Sequence, residues 1–131
     1  MKTRLVVLLG VAAGVSLGSL PLFAHHSLSR FDREHPSTLK GMVVEFNWMN
    51  PHSRVLLDVK DDKGNIARWA LETSPPIRLL RVGWNAESLK PGDQVTVTVY
   101  PAKDGSKIAE PRDFVFPDGR KLGPAMSGEV E

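Results

Sequence analysis

The nitrogen ligands available to this chain are four histidines, His25, His26, His35 and His52, and three of them fall between positions 25 and 35. The sequence has no cysteine, which excludes thiolate zinc sites, iron–sulfur clusters, disulfides and a cysteine nucleophile. A histidine that begins a chain differs from the others: its α-amine and its Nδ1 can close a six-membered chelate ring on one metal ion. His25 takes that place if a peptidase cuts after Ala24. A third nitrogen, from His52, would complete a T-shaped set suited to copper, which favours nitrogen-rich tetragonal sites. The amine, with a pKa of about 7.7 to 8.0, and the imidazoles, near about 6.5, would first have to lose protons. Zinc held by His25, His26 and His52 is a variant that needs a carboxylate from Asp32 or Glu34, since thiolates are absent. The plain alternative is that the paired histidines are a solvated polar start and that His52 hydrogen-bonds its own turn.

The cut depends on the first 24 residues. Lys2 and Arg4 give a positive start, and Leu5 to Leu20 is an apolar run punctuated by Gly10, Gly14 and Gly18. A bilayer span needs about 20 apolar residues, so a cleaved signal fits better than a permanent anchor. Pro21 breaks the helix and Ala24 offers a small residue at the cut. Ser16-Leu17-Gly18 is a second small-x-small site, and a cut there would leave Ser19 first. Removing residues 1–24 takes away two bases and no acid, leaving 15 of each sign. A neutral domain has no surplus of Lys and Arg to displace counterions from phosphates, which argues against nucleic acid as a partner.

Aromatic residues offer a second chemistry. Phe46, Trp48, Trp69, Trp84 and Tyr100 could form a stacking platform on a barrel face, although their spacing on alternating strands is also what a core requires. Arg68, Arg78 and Arg81 could gather near the short helix and hold an anion, or stand as a solvated face. Ser27 and Ser53 each neighbour a histidine, but adjacent strand residues point to opposite faces, so no triad follows. Glu72 and Asp113 are the carboxylates a fold could pair. No phosphate loop or dinucleotide turn is present. The sequence thus leans away from an enzyme, and a copper-dependent oxidase would also need an open coordination position and a substrate surface.

The elements that must position these residues read as follows. Thr38 to Trp48 alternates as a strand, with Met42, Val44, Phe46 and Trp48 on one face. Met49-Asn50-Pro51-His52 is turn chemistry. Ser53 to Lys60 and Ile66 to Glu72 alternate on either side of Asp61-Asp62-Lys63-Gly64-Asn65, a hairpin loop. Ser74 to Trp84 predicts a helix of about two turns, with Ser74 as cap, a proline at its first position and Gly83 as its left-handed stop. Gln94 to Tyr100 is a strand almost wholly β-branched or aromatic, and Lys107 to Phe116 is a last strand placed at an edge or bulge by Pro111.

Five strands, with a short helix between the third and fourth, predict an all-β fold: a small, partly open antiparallel barrel of OB type. A two-sheet sandwich is the alternative. The predicted organisation is a cleaved signal over 1–24, an extended arm over 25–37, the barrel over 38–122 and a flexible tail over 123–131.

The ordered series Ala24-His25-His26-Ser27, Leu39-Lys40-Gly41, Glu45-Phe46-Asn47-Trp48, Asn50-Pro51-His52, Trp69-Ala70-Leu71-Glu72, Ser74-Pro75, Arg81-Val82-Gly83-Trp84 and Leu89-Lys90-Pro91-Gly92-Asp93 resembles a family of uncharacterised bacterial exported proteins, a domain of unknown function. The resemblance covers nearly all of the mature chain. Leu22 stands where that family often has alanine, and Pro76 where a polar residue is common. The resemblance implies export to the periplasm or beyond and a compact β domain, and it supplies no reaction. Combined with the residues, it leads to an expected envelope binding module. That module takes copper through His25, His26 and His52, or binds a protein or small molecule without metal on a face carrying Trp48, Trp69, Trp84, Arg78 and Arg81. No stable membrane insertion is expected once the signal is gone.

Overall fold

In the computed structural model, which describes residues 30–125, the element order is β1 (Ser37–Asn47), β2 (Arg54–Lys60), β3 (Ile66–Glu72), α1 (Pro76–Arg81), β4 (Gln94–Pro101), β5 (Ile108–Val115) and β6 (Lys121–Leu122). Alternation produces the strands: Val95, Val97 and Val99 of β4 are buried while Thr96 and Thr98 between them are half-exposed. The first three strands form an antiparallel meander, β4 pairs with the first half of β1, and β5 with β4. A parallel seam, Ala70 opposite Ile108 and Leu71 opposite Ala109, joins β3 to β5 and closes five strands into a mixed barrel. The predicted five-stranded barrel, with its helix between β3 and β4, is therefore the fold. The short seam completes a closure that the sequence reading left partial.

The predicted facing of β1 holds only in its second half. Leu39 and Val43 are buried and Met42 is 40% exposed, so the first half points inward on odd positions. A register shift between Val43 and Glu45 against β2 then inserts a residue, which brings Phe46 and Trp48 onto the core. A bulge exchanges the two faces of a strand because the side-chain period is 2. Gly41 sits at a close approach of β1 to β2: a Cβ there would lie 2.4 Å from the Asp58 carbonyl oxygen.

The core is lined by Leu39, Val43, Val55, Leu57, Leu71, Val97, Val99 and Phe114 and closed at one end by Leu79 and Trp84. Trp84 meets Phe46 at 5.9 Å and Phe114 at 5.5 Å between ring centroids, both edge-on. Contacts of this kind are worth about 0.5–1.5 kcal/mol each beyond area burial. Helix α1 owes its stop to Gly83 at φ +89°, where the Gly83 N–H donates to the Leu80 carbonyl and the Trp84 N–H to that of Leu79. At its start Pro75, not Ser74, holds the N-cap position, without a side-chain cap.

Both ends of the described chain are docked. Phe31 is buried with Tyr100 and Ala102 in a small second cluster, and it bridges to Ala102. At the other end Ala125 is fully buried, accepts from the Ser74 N–H and donates to the Arg112 carbonyl. Within the span 123–131 expected as a flexible tail, Ala125 fills a core position. The expected signal over 1–24 and residues 126–131 lie outside the described residues.

Candidate functional site

His52 stands in the loop between β1 and β2, exposed, three residues past Met49. Ser53, fully buried, closes this loop: its Oγ lies 3.4 Å from both the backbone N and the carbonyl O of Met49. The loop is also tied to the segment after β3, since Thr73 donates to the Ser53 carbonyl from its backbone N–H at 2.9 Å and from its Oγ1 at 3.0 Å. Against this frame the Nδ1 of His52 lies 3.1 Å from the Thr73 carbonyl oxygen. A carbonyl only accepts, so Nδ1 carries the proton, and in the neutral ring Nε2 keeps its lone pair. Metal-binding imidazoles are commonly oriented by this kind of bond.

The arm reaches the same region. Arg30, its first described residue, pairs with Glu72 at 3.4 Å, and Glu72 also faces Arg54 at 3.9 Å. Glu72 immediately precedes Thr73, the residue that holds His52. The arm is anchored beyond this ion pair: the Asp32 N–H donates to the Pro101 carbonyl, the Lys103 N–H to the Arg30 carbonyl, and Arg33 pairs with the buried carboxylate of Glu110 while lying over the Tyr100 ring. His25 and His26, the other two proposed ligands, lie outside the described residues, as does Ser27.

Among the described residues no group of three or more His, Asp or Glu side chains comes together as a ready metal cluster. Asp32, the carboxylate considered for zinc, is occupied: it accepts from Nδ1 of His35 at 2.9 Å and from the backbone N–H groups of Glu34 and His35. The bond to the His35 side chain is the main cause holding the Asp32 pKa below its ordinary value, and it raises that of His35. Glu72 takes up Arg30 and Arg54, and Ser53 closes its loop.

The aromatic candidates serve the core. Trp84 is 1% exposed and belongs to no surface; the stop at Gly83 folds it under α1. Its Nε1 is the buried side-chain polar atom without a hydrogen-bond partner among the described residues. Trp48 and Trp69 are half-buried against the same core, and Lys107 lies over the Trp69 ring at 5.0 Å. The arginines do not form one cluster through Arg68, which is committed bidentately to Asp58 at 2.8 and 3.0 Å, while Arg78 and Arg81 stand exposed on α1. No helix among the described residues is long and apolar enough to cross a membrane.

Residues 13–110, a span that takes in the arm and His52 and reaches into β5, match DUF6152, a family of unknown function. The chain belongs to this family. Neither the curated proteins nor the solved structures gave a match. The matched span takes in every histidine and the Thr73 that orients His52. Sequence reasoning missed Thr73 and the Arg33–Glu110 pair. The first acts through a backbone carbonyl, which any residue type supplies, and the second joins positions 77 residues apart.

Proposed function

We propose that the chain is an exported binding module of the bacterial cell envelope that captures copper with the processed N-terminus, His25 supplying amine and Nδ1, and with Nε2 of His52. The observation that carries this reading is the bond from His52 Nδ1 to the Thr73 carbonyl, which leaves Nε2 as the free nitrogen on a pinned loop. Its second support is distance along the chain. Arg30 lies five positions after His25, an extended reach of about 17 Å, and Arg30 is held at Glu72, next to Thr73. His26 is the alternative nitrogen should the set expand.

The test is expression with the native signal, sequencing of the mature N-terminus, and copper titration by calorimetry with EPR. Material that begins at His25 should bind one equivalent of Cu(II) with nitrogen hyperfine structure, and His25→Ala and His52→Ala should each weaken it. Equal binding by His25→Ala and the parent would end the copper reading and leave a metal-free interaction domain for a protein or small molecule. Peroxide formation with ascorbate after loading would move the module into the oxidase class.

A further inference from the structure

A groove of about 500 Å³ lies on the outer side of the barrel, lined by Lys40, Met42, Asp58, Lys60, Ile66 and Gln94 with the backbone of Gly41. The register explains why these side chains share one face. Met42 stands opposite Asp58 on β2 and opposite Gln94 on β4; Lys60 stands opposite Ile66; and Lys40 and Lys60 are each two residues from a member of the first set. Directly paired residues and residues two apart project to the same side of a sheet.

The chemistry of the lining is amphipathic. Ile66, at 65%, is the most exposed large apolar side chain among the described residues, and Met42 beside it is 40% exposed. The carboxylate of Asp58 is neutralised by its bidentate bonds from Arg68. The side chains of Lys40 and Lys60 make no ion pair or hydrogen bond among the described residues, so the groove carries two lysine charges beside two uncovered apolar side chains. Its volume falls within the range of about 300–1,000 Å³ usual for small-molecule sites.

We propose that this groove binds a single-chain amphiphile with an anionic head, a fatty carboxylate, its head between Lys40 and Lys60 and its chain along Met42 and Ile66. Charge complementarity selects the sign of the head, and exposed apolar surface beside it selects a tail over a small inorganic anion. The site is separate from the copper reading and stands or falls without it, since it shares no residue with the His52 loop.

The experiment is titration of the mature protein with monomeric dodecanoate, followed by amide chemical shifts, with dodecyltrimethylammonium as the control of equal chain length and opposite charge. The expected shifts map to residues 40–42, 58–60 and 66. Lys40→Gln with Lys60→Gln should weaken binding by about tenfold, the weight of two partly screened charge contacts. Met42→Ser with Ile66→Ser should weaken it too, with unchanged melting temperatures showing that all variants fold. Equal binding of the cationic amphiphile, shifts that map elsewhere, or binding to anionic vesicles without binding to monomeric dodecanoate would each overturn the proposal.

Discussion

If the proposed copper capture holds, freeing the arm from the barrel should weaken it by a calculable amount, because the arm sets the length of chain between His25 and His52. The perturbation is Phe31→Ala with Arg33→Ala, which removes the apolar anchor packed on Tyr100 and Ala102 and the ion pair to Glu110. In the parent the first described anchor, Arg30, lies five positions after His25; with the arm undocked the anchor becomes Ser37, the start of β1, twelve positions after it. Effective concentration in a flexible tether falls roughly as the 3/2 power of its length. The ratio of twelve to five then gives about a fourfold loss of Cu(II) affinity, or about 0.8 kcal/mol. Phe31 lies in a cluster separate from the main core, so its loss should open the arm locally before the barrel unfolds. The assay is competition calorimetry, with hydrogen exchange at the amides of Asp32 and Lys103 reporting release of the arm, since both donate across its dock. Rapid exchange at these amides with unchanged affinity would refute the tether argument. A loss as large as that of His25→Ala would refute it from the other side, by showing that the arm acts as more than a spacer.

Three further outcomes follow from the geometry. Gly41→Ala puts a Cβ 2.4 Å from the Asp58 carbonyl oxygen and 3.1 Å from Leu57 Cγ, so β1 and β2 must part; overpacking of this kind costs about 1–3 kcal/mol, and a thermal melt should fall by roughly 4–8 °C for each of these. A melt within about 2 °C of the parent would show that the strand pair yields more easily than its contacts imply. His52→Ala should leave the melting temperature nearly unchanged, because the side chain is exposed, while the EPR spectrum loses the hyperfine contribution of one nitrogen; an identical spectrum would remove His52 from the ligand set. His35 should titrate above 6.5 by NMR and Asp32 below 3.8, with Asp32→Asn returning His35 toward 6.5. The raised His35 contributes fully below its unfolded pKa and loses that contribution as pH rises through its folded value. The lowered Asp32 contributes above its unfolded pKa and loses that as pH falls through its folded value, so the pair operates between the two.

Sequence alone determined the elements and their order. Alternation at period 2 marked β1 to β5, the Asp61–Asn65 loop made a hairpin, and Gly83 ended the helix, because each of these is a local conformational preference read within a few residues. It also marked the histidines as the available nitrogen ligands. What only the tertiary structure decided depends on contacts between distant segments. The register shift after Val43 against β2 exchanges the faces of β1, and no residue type announces it. The two-rung seam of β3 and β5 closes the barrel because the chain returns there after the helix and β4. Trp84 became core because the barrel brings Phe46 and Phe114 edge-on to its ring. His52 acquired a defined tautomer from the carbonyl of a threonine 21 residues away. Backbone groups are the same at every position, so the bond that orients this histidine exists only once the fold has brought the two segments together.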